Sequence, residues 1–209
     1  AATPPWSLWD GKDYKNMSDQ DEAKFRMIEY HKWKFKAKIF SPLAPLTVKR
    51  TPVLMTRVEY GFLGSYNKYK KSPFETFYMG GDGMSGYSST YATETIGLRG
   101  YENGSIAGNG GYNSYGYAYS RLSMELRYPF LLEPSSTIYG LVFVEAGNAW
   151  RDLKDFNPFQ LKRSAGVGVR IFLPMIGLMG IDWAYGFDRP DGYDQRGGSN
   201  FHFIIGQEF

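Results

Sequence analysis

The strongest constraint in this chain is a two-residue alternation of polar and apolar side chains, repeated in segments whose connections are long and short by turns. Residues 28–40 set Ile28, Tyr30, Lys32, Lys34, Lys36 and Lys38 against Glu29, His31, Trp33, Phe35, Ala37 and Ile39. Residues 115–128 set Leu122, Met124, Leu126 and Tyr128 against Arg121, Ser123, Glu125 and Arg127. The same period recurs over 53–66, 137–150, 163–173 and 178–187, and 201–209 form a last, aromatic-rich segment. A period of two is what strands produce; a helix repeats every 3.6 residues or so, about 100° per residue. The connections at 10–27, 67–114, 151–162 and 188–199 are long, and those at 41–50, 129–136 and 174–177 are short.

Composition narrows the class. Aromatic residues make up 18% of the 209, with Tyr 17, Phe 15 and Gly 25, which excludes a disordered chain. No apolar run reaches the roughly eighteen residues of a membrane-spanning helix. Cys 0 removes disulfides, thiolate metal sites and cysteine nucleophiles. A net charge of +3 without a basic block gives no reason to expect nucleic acid. What remains is a soluble all-β domain or an outer-membrane β-barrel. Three features favour the barrel. Long loops on one side and short turns on the other are the order found in outer-membrane barrels. The second face of the strands carries Glu, Arg, Asp and Gly, as a wet lumen does. Tyr128, Phe130, Trp150, Phe187 and Phe209 fall at strand ends, where interfacial girdles sit.

The expected fold is therefore all-β: a transmembrane antiparallel up-and-down β-barrel, one domain over 1–209, with about eight strands present. The first strand is incomplete and lies within residues 1–9, where Pro4-Pro5 argues against a helix. Residues 10–27 read as a loop in which the run from Ser18 to Glu22 caps a short helix. With the C-terminus periplasmic, the long loop 67–114 is extracellular. Deep in that loop sits Gly97-Leu98-Arg99-Gly100-Tyr101, an arginine between glycines that allow tight turns. Glu125 and Glu145 fall on the polar faces of the two consecutive strands after it.

Several of these stretches together resemble the outer-membrane-protein insertases of the BamA type. Phe74-Glu-Thr-Phe-Tyr-Met-Gly-Gly81 is similar to that family's aromatic–Gly-Gly approach to its sixth extracellular loop. Gly97-Leu98-Arg99-Gly100-Tyr101 is similar to its Val-Arg-Gly-Phe/Tyr motif, with Leu98 for valine. Phe143-Val-Glu145-Ala-Gly147 resembles its Phe-x-Asp-x-Gly strand motif, with Glu for Asp, and 201–209 resembles its terminal signal ending in an aromatic. The resemblance implies the C-terminal half of a barrel of about sixteen strands in the outer membrane. It implies that Arg99 reaches into the lumen to pair with acids on neighbouring strands, Glu125 and Glu145 here, beside Phe143 and Gly147. It also implies a lateral gate at the last strand (Phe201, Phe203, Ile205, Gly206, Phe209), where Gly206 weakens the edge. The implied partners are unfolded β-barrel proteins, outer-membrane lipids including lipopolysaccharide, and accessory periplasmic lipoproteins.

The remaining polar residues have structural readings. The stripe from Lys32 to Lys38 reads as a solvated lumen wall, and Arg170 with Asp182 as a lumen pair on adjacent strands. His31 and His202 are not at metal spacing, and neither has a Ser/Asp partner at a rim. The expectation is thus no enzyme, no metal and no cofactor. A protein-translocating or passive diffusion pore is the alternative function.

Overall fold

The computed structural model describes residues 1–18, 21–45, 47–48, 50–83, 94–106, 115–133, 135–175 and 177–206. Its main element, among the described residues, is a seven-stranded antiparallel sheet. In chain order the strands are β1 (His31–Pro42), β2 (Val53–Gly64), β3 (Phe77–Met79), β4 (Glu94–Ile96), β5 (Ala118–Glu133), β6 (Ser136–Trp150), β7 (Lys162–Leu173), β8 (Gly177–Gly186) and β9 (Gly198–Ile205). The sheet order is β1-β2-β5-β6-β7-β8-β9, an up-and-down meander. Its single detour is the long connection between β2 and β5, which holds β3 and β4 as a small parallel pair of its own. Among the described residues no pairing joins β9 to β1, so the sheet is open.

The alternation sorts the two faces. Trp33 and Phe35 on β1, Val142 and Val144 on β6, and Phe201 and Phe203 on β9 all lie on the outer face, each more than half exposed. An uncovered apolar face that recurs on β1, β5, β6, β7, β8 and β9 is far larger than a water-soluble monomer tolerates, and it suits hydrocarbon. β1, β2, β5, β6 and β7 have 12 to 16 residues and β8 has 10, enough for the nine to eleven or so that a tilted membrane strand needs; β9, with 8, falls short. No described helix is long and apolar enough to cross a membrane.

The inner face differs from the wet lumen expected of it. At the long-loop end it is covered by a dry core in which Phe77, Met79, Ile96, Leu98 and Ile106 from the long connection pack on Leu63, Tyr119 and Ala149 of the sheet. The small residues on these strands make room for it. A Cβ at Gly61 would lie 2.9 Å from the Phe77 ring, and one at Gly147 would lie 2.4 Å from Met79 Cε. The lysine stripe is also partly covered: Lys32 is buried and pairs with Glu75 and Glu94 at 2.9 and 3.1 Å, while Lys34 meets Glu94 and Lys36 meets Glu59.

Other boundaries move for local reasons. Residues 6–9 form a helical turn, α1 (Trp6–Trp9), against the expectation drawn from Pro4-Pro5. Both prolines precede the turn, where a missing N–H costs nothing. What stands for the incomplete first strand is a bridge between Ala2 and His31, with Thr3 N donating to Tyr30 O at 2.9 Å. A second short helix, α2 (Glu22–Phe25), lies where one was expected; its cap falls partly on residues 19–20, outside the described residues. β5 runs through Pro129 to Glu133, because a register shift between Pro129 and Leu131 takes up the missing donor. Trp150 is no girdle residue: it is buried against Phe156 of the following connection, ring centroids 4.7 Å apart.

Candidate functional site: the anchor of the long connection

Residues 97–101 bind the long connection to the inner face. Leu98 extends the β3–β4 pair through a bridge to Gly81 and inserts its side chain into the core. Gly100 has a φ of +87°, and a Cβ there would lie 2.9 Å from Gly186 N and from Ser164 Cβ. Glycine is needed here twice, for the turn and for backbone resting on β7 and β8. The buried Tyr101 hydroxyl donates to Arg163 O at 2.7 Å and accepts from Asp188 N at 3.3 Å. Burial pushes this phenol up to about 12, so it stays a donor near neutrality.

Arg99 is fully buried. Its Nη2 donates to Glu125 Oε1 at 2.5 Å and to Glu145 Oε1 at 2.8 Å, and its Nη1 donates to Asp182 Oδ2 at 2.9 Å. Its backbone N–H donates to Glu145 Oε2 at 2.9 Å, and its guanidinium lies 3.5 Å from the Phe143 ring centre. Burial opposes the charge, but Glu145 and Glu125 outweigh it and hold the group above its ordinary value. The geometry also fixes the shape of the sheet. β5 and β8 are three strand intervals apart, roughly 14 Å in a flat sheet. One guanidinium touches carboxylates from both, so this face is concave and its side chains converge.

Each acid also has its own arginine on the sheet. Arg121 Nη2 meets Glu145 at 2.7 Å, Arg127 Nη2 meets Glu125 at 2.7 Å, and Arg170 Nη1 meets Asp182 at 2.6 Å. Ser123 Oγ donates to Glu145 as well, at 3.0 Å. The socket is therefore largely neutralised before Arg99 enters it. Such pre-pairing limits what the charge cluster alone contributes to docking, because the acids would not sit bare without the loop. Burial of Phe77, Met79, Leu98 and Ile106 contributes about 1.5–3 kcal/mol each as an upper estimate. The apolar core therefore supplies most of the docking energy, and the arginine fork fixes where the loop sits.

Of the residues singled out from the sequence, Gly97 to Tyr101, Glu125, Phe143, Glu145 and Gly147 meet in this one place; a Cβ on Gly147 would lie 3.2 Å from Leu98 Cδ1. The terminal-strand residues lie elsewhere. Phe201, Phe203 and Ile205 point outward, each at least 60% exposed, and Gly206, with φ +75°, ends the strand. Phe209 lies outside the described residues. Sequence reasoning missed two members of the site. Asp182 pairs with Arg170 as expected but also receives Arg99. His202 faces inward between Phe201 and Phe203, and its Nε2 accepts the Gly100 N–H at 2.9 Å. That bond ties the anchor to β9 and needs an unprotonated Nε2. The signal for His202 was its place on the inward register, shared with Asn200 and Ile204. At the rim, Arg163 bonds Asp188 through Nε and Nη2 at 3.0 and 2.9 Å and holds that carboxyl below its usual range. Among the described residues no cluster of metal-ligating side chains is assembled.

Comparison with known proteins agrees with this architecture. Among curated proteins none matches the chain. The fold is similar to the crystal structure of BamA from Haemophilus ducreyi lacking POTRA domains 1-3, with a TM-score of 0.56 and 22% identity, over 84% of this chain. The chain spans about a third of that one, 34% of its length. The family model described as the Omp85 superfamily domain matches residues 24–209, nearly the whole sequence. The chain thus belongs to the Omp85 superfamily, whose members are β-barrel proteins of the outer membrane.

Proposed function

We propose that this chain is the C-terminal barrel segment of an outer-membrane protein assembly factor of the BamA type. It helps fold and insert β-barrel proteins, with long connections extracellular and the C-terminus periplasmic. The observation that carries the reading is the Arg99 anchor, which joins the long connection to β5, β6 and β8 and, through Gly100 and His202, to β9. A wall so braced presents β9 at an edge of the open sheet, and such an edge can template an incoming strand. No covalent bond is made or broken in that process, so neither nucleotide nor nucleophile is required. The partners are unfolded β-barrel proteins, the surrounding lipids including lipopolysaccharide, and accessory periplasmic lipoproteins. A passive pore fits less well, because the long connection fills the inner face at its loop end with apolar side chains.

The test is assembly of a urea-unfolded β-barrel protein into liposomes that contain the reconstituted protein, read as the fraction protected from protease. Wild type is expected to raise the assembly rate at least tenfold over empty liposomes, and Arg99→Ala to lose most of that gain. If Arg99→Ala changes only ion conductance while assembly is unaffected, the pore reading stands instead.

A further inference from the structure

Outside the anchor, a recess of about 1040 Å³ opens at the long-connection end, beyond the ends of β2, β5 and β6. Residues 14–18, 24–25, 68–74, 115–117 and 151–155 converge on it. Five cations line it, Lys15, Lys24, Lys68, Lys71 and Arg151, against two acids, Asp152 and Asp155. Of the acids, Asp152 is already engaged by Lys71 at 2.7 Å. Among the described residues, no carboxylate lies within ion-pair distance of the side chains of Lys15, Lys68 or Arg151. Positive charge is thus in local excess at Lys15, Lys68 and Arg151, in a recess rather than on an open face. An anion held there is desolvated on several sides, which strengthens each contact with it.

The rest of the wall narrows the class of anion. Lys68 lies over the Tyr69 ring at 4.8 Å, Lys71 over Tyr117 at 5.6 Å and Arg151 over Tyr115 at 5.9 Å. Cations already occupy ring faces that a planar base would need for stacking. The phenols of Tyr69 and Tyr115 make no hydrogen bond among the described residues and present donors and acceptors to hydroxyl groups. We propose that this recess binds an acidic saccharide: sugar hydroxyls on the tyrosine edges, and a carboxylate or phosphate on Lys15, Lys68 and Arg151. The same chemistry is carried by a free acidic polysaccharide and by the phosphorylated headgroup of a glycolipid.

The test uses the full chain in detergent micelles, titrated calorimetrically with trigalacturonate, with maltotriose and inorganic phosphate as controls. Trigalacturonate is expected to bind at least tenfold more tightly than either control. The double substitution Lys68→Gln with Arg151→Gln is expected to weaken it at least tenfold at unchanged melting temperature. Equal binding of maltotriose, equal binding of inorganic phosphate, or full retention in the double variant overturns the proposal. Nanodiscs that carry a phosphorylated glycolipid separate the sources: competition with trigalacturonate assigns the site to a headgroup, and lack of competition assigns it to a free saccharide.

Discussion

Replacing Glu145 with alanine is expected to destabilise the anchored state by about 4 kcal/mol, the largest single effect in the molecule. Glu145 accepts from Arg99 N, Arg99 Nη2, Arg121 Nη2 and Ser123 Oγ, all buried. Removing it withdraws four hydrogen bonds and leaves Arg57, Arg99 and Arg121 crowded in a buried region that has lost one negative charge. The cost falls on the loop and on the β5–β6 wall together, because Arg121 and Ser123 belong to the wall. In detergent micelles the melting temperature is expected to drop, and limited proteolysis of the long connection is expected to quicken by about three orders of magnitude where opening is fast relative to cleavage. Glu145→Gln keeps the volume and one acceptor oxygen but turns an amide NH₂ toward donors, so it is expected to recover less than half of the loss. Unchanged melting and proteolysis in Glu145→Ala would show that the carboxylate is not the hub of this site.

The second effect separates loop from wall. Arg99→Ala is expected to cost about 3 kcal/mol, below the value for Glu145. The three carboxylates keep Arg121, Arg127 and Arg170, so none is stripped of its sheet-borne arginine. Proteolysis of the long connection is expected to rise by about two orders of magnitude, with less change in the melting of the sheet. Arg99→Lys tests geometry apart from charge. A lysine carries the same charge but lacks the planar fork that reaches Glu125, Glu145 and Asp182 at once, so it is expected to behave much more like alanine than like arginine. Full rescue by lysine would mean that charge alone holds the loop.

Much of this arrangement can be read from the sequence, and the unreadable parts have physical causes. Alternation separates an outer apolar face from an inner polar one because the strand period is fixed at two. Glu125 and Glu145 occupy inward positions on the two strands after the loop, and the family resemblance of the loop motif marks them as the partners of Arg99. The apolar core over the inner face does not show, because Phe77, Met79, Leu98 and Ile106 are scattered through a Gly-rich segment without any period. Gly61 and Gly147 then read as the lining of a wet lumen, when they are space left for those side chains. Asp182 is matched to its register neighbour Arg170, and nothing local indicates that a residue 83 positions away also reaches it. His202 looks like a lone histidine between two lipid-facing phenylalanines, since its partner is a backbone N–H on a distant turn. The helical turn at Trp6–Trp9 is lost to a rule about proline that applies inside helices and not ahead of them.

The central claim is that the long connection folds back and is held on the inner face at Leu98–Tyr101. The chain has no cysteine, so a pair can be introduced without interference. In the double variant Leu98→Cys with Gly147→Cys, the Cβ added at 147 lies 3.2 Å from the place of Leu98 Cδ1, and the flexible end of Met79, 2.4 Å from that Cβ, moves aside to admit it. The folded protein in detergent micelles is expected to join the two thiols through a short crosslinker, and neither single variant is expected to react with a bulky water-soluble maleimide. Free labelling of Leu98→Cys by that maleimide, with no crosslink in the double variant, would contradict the account.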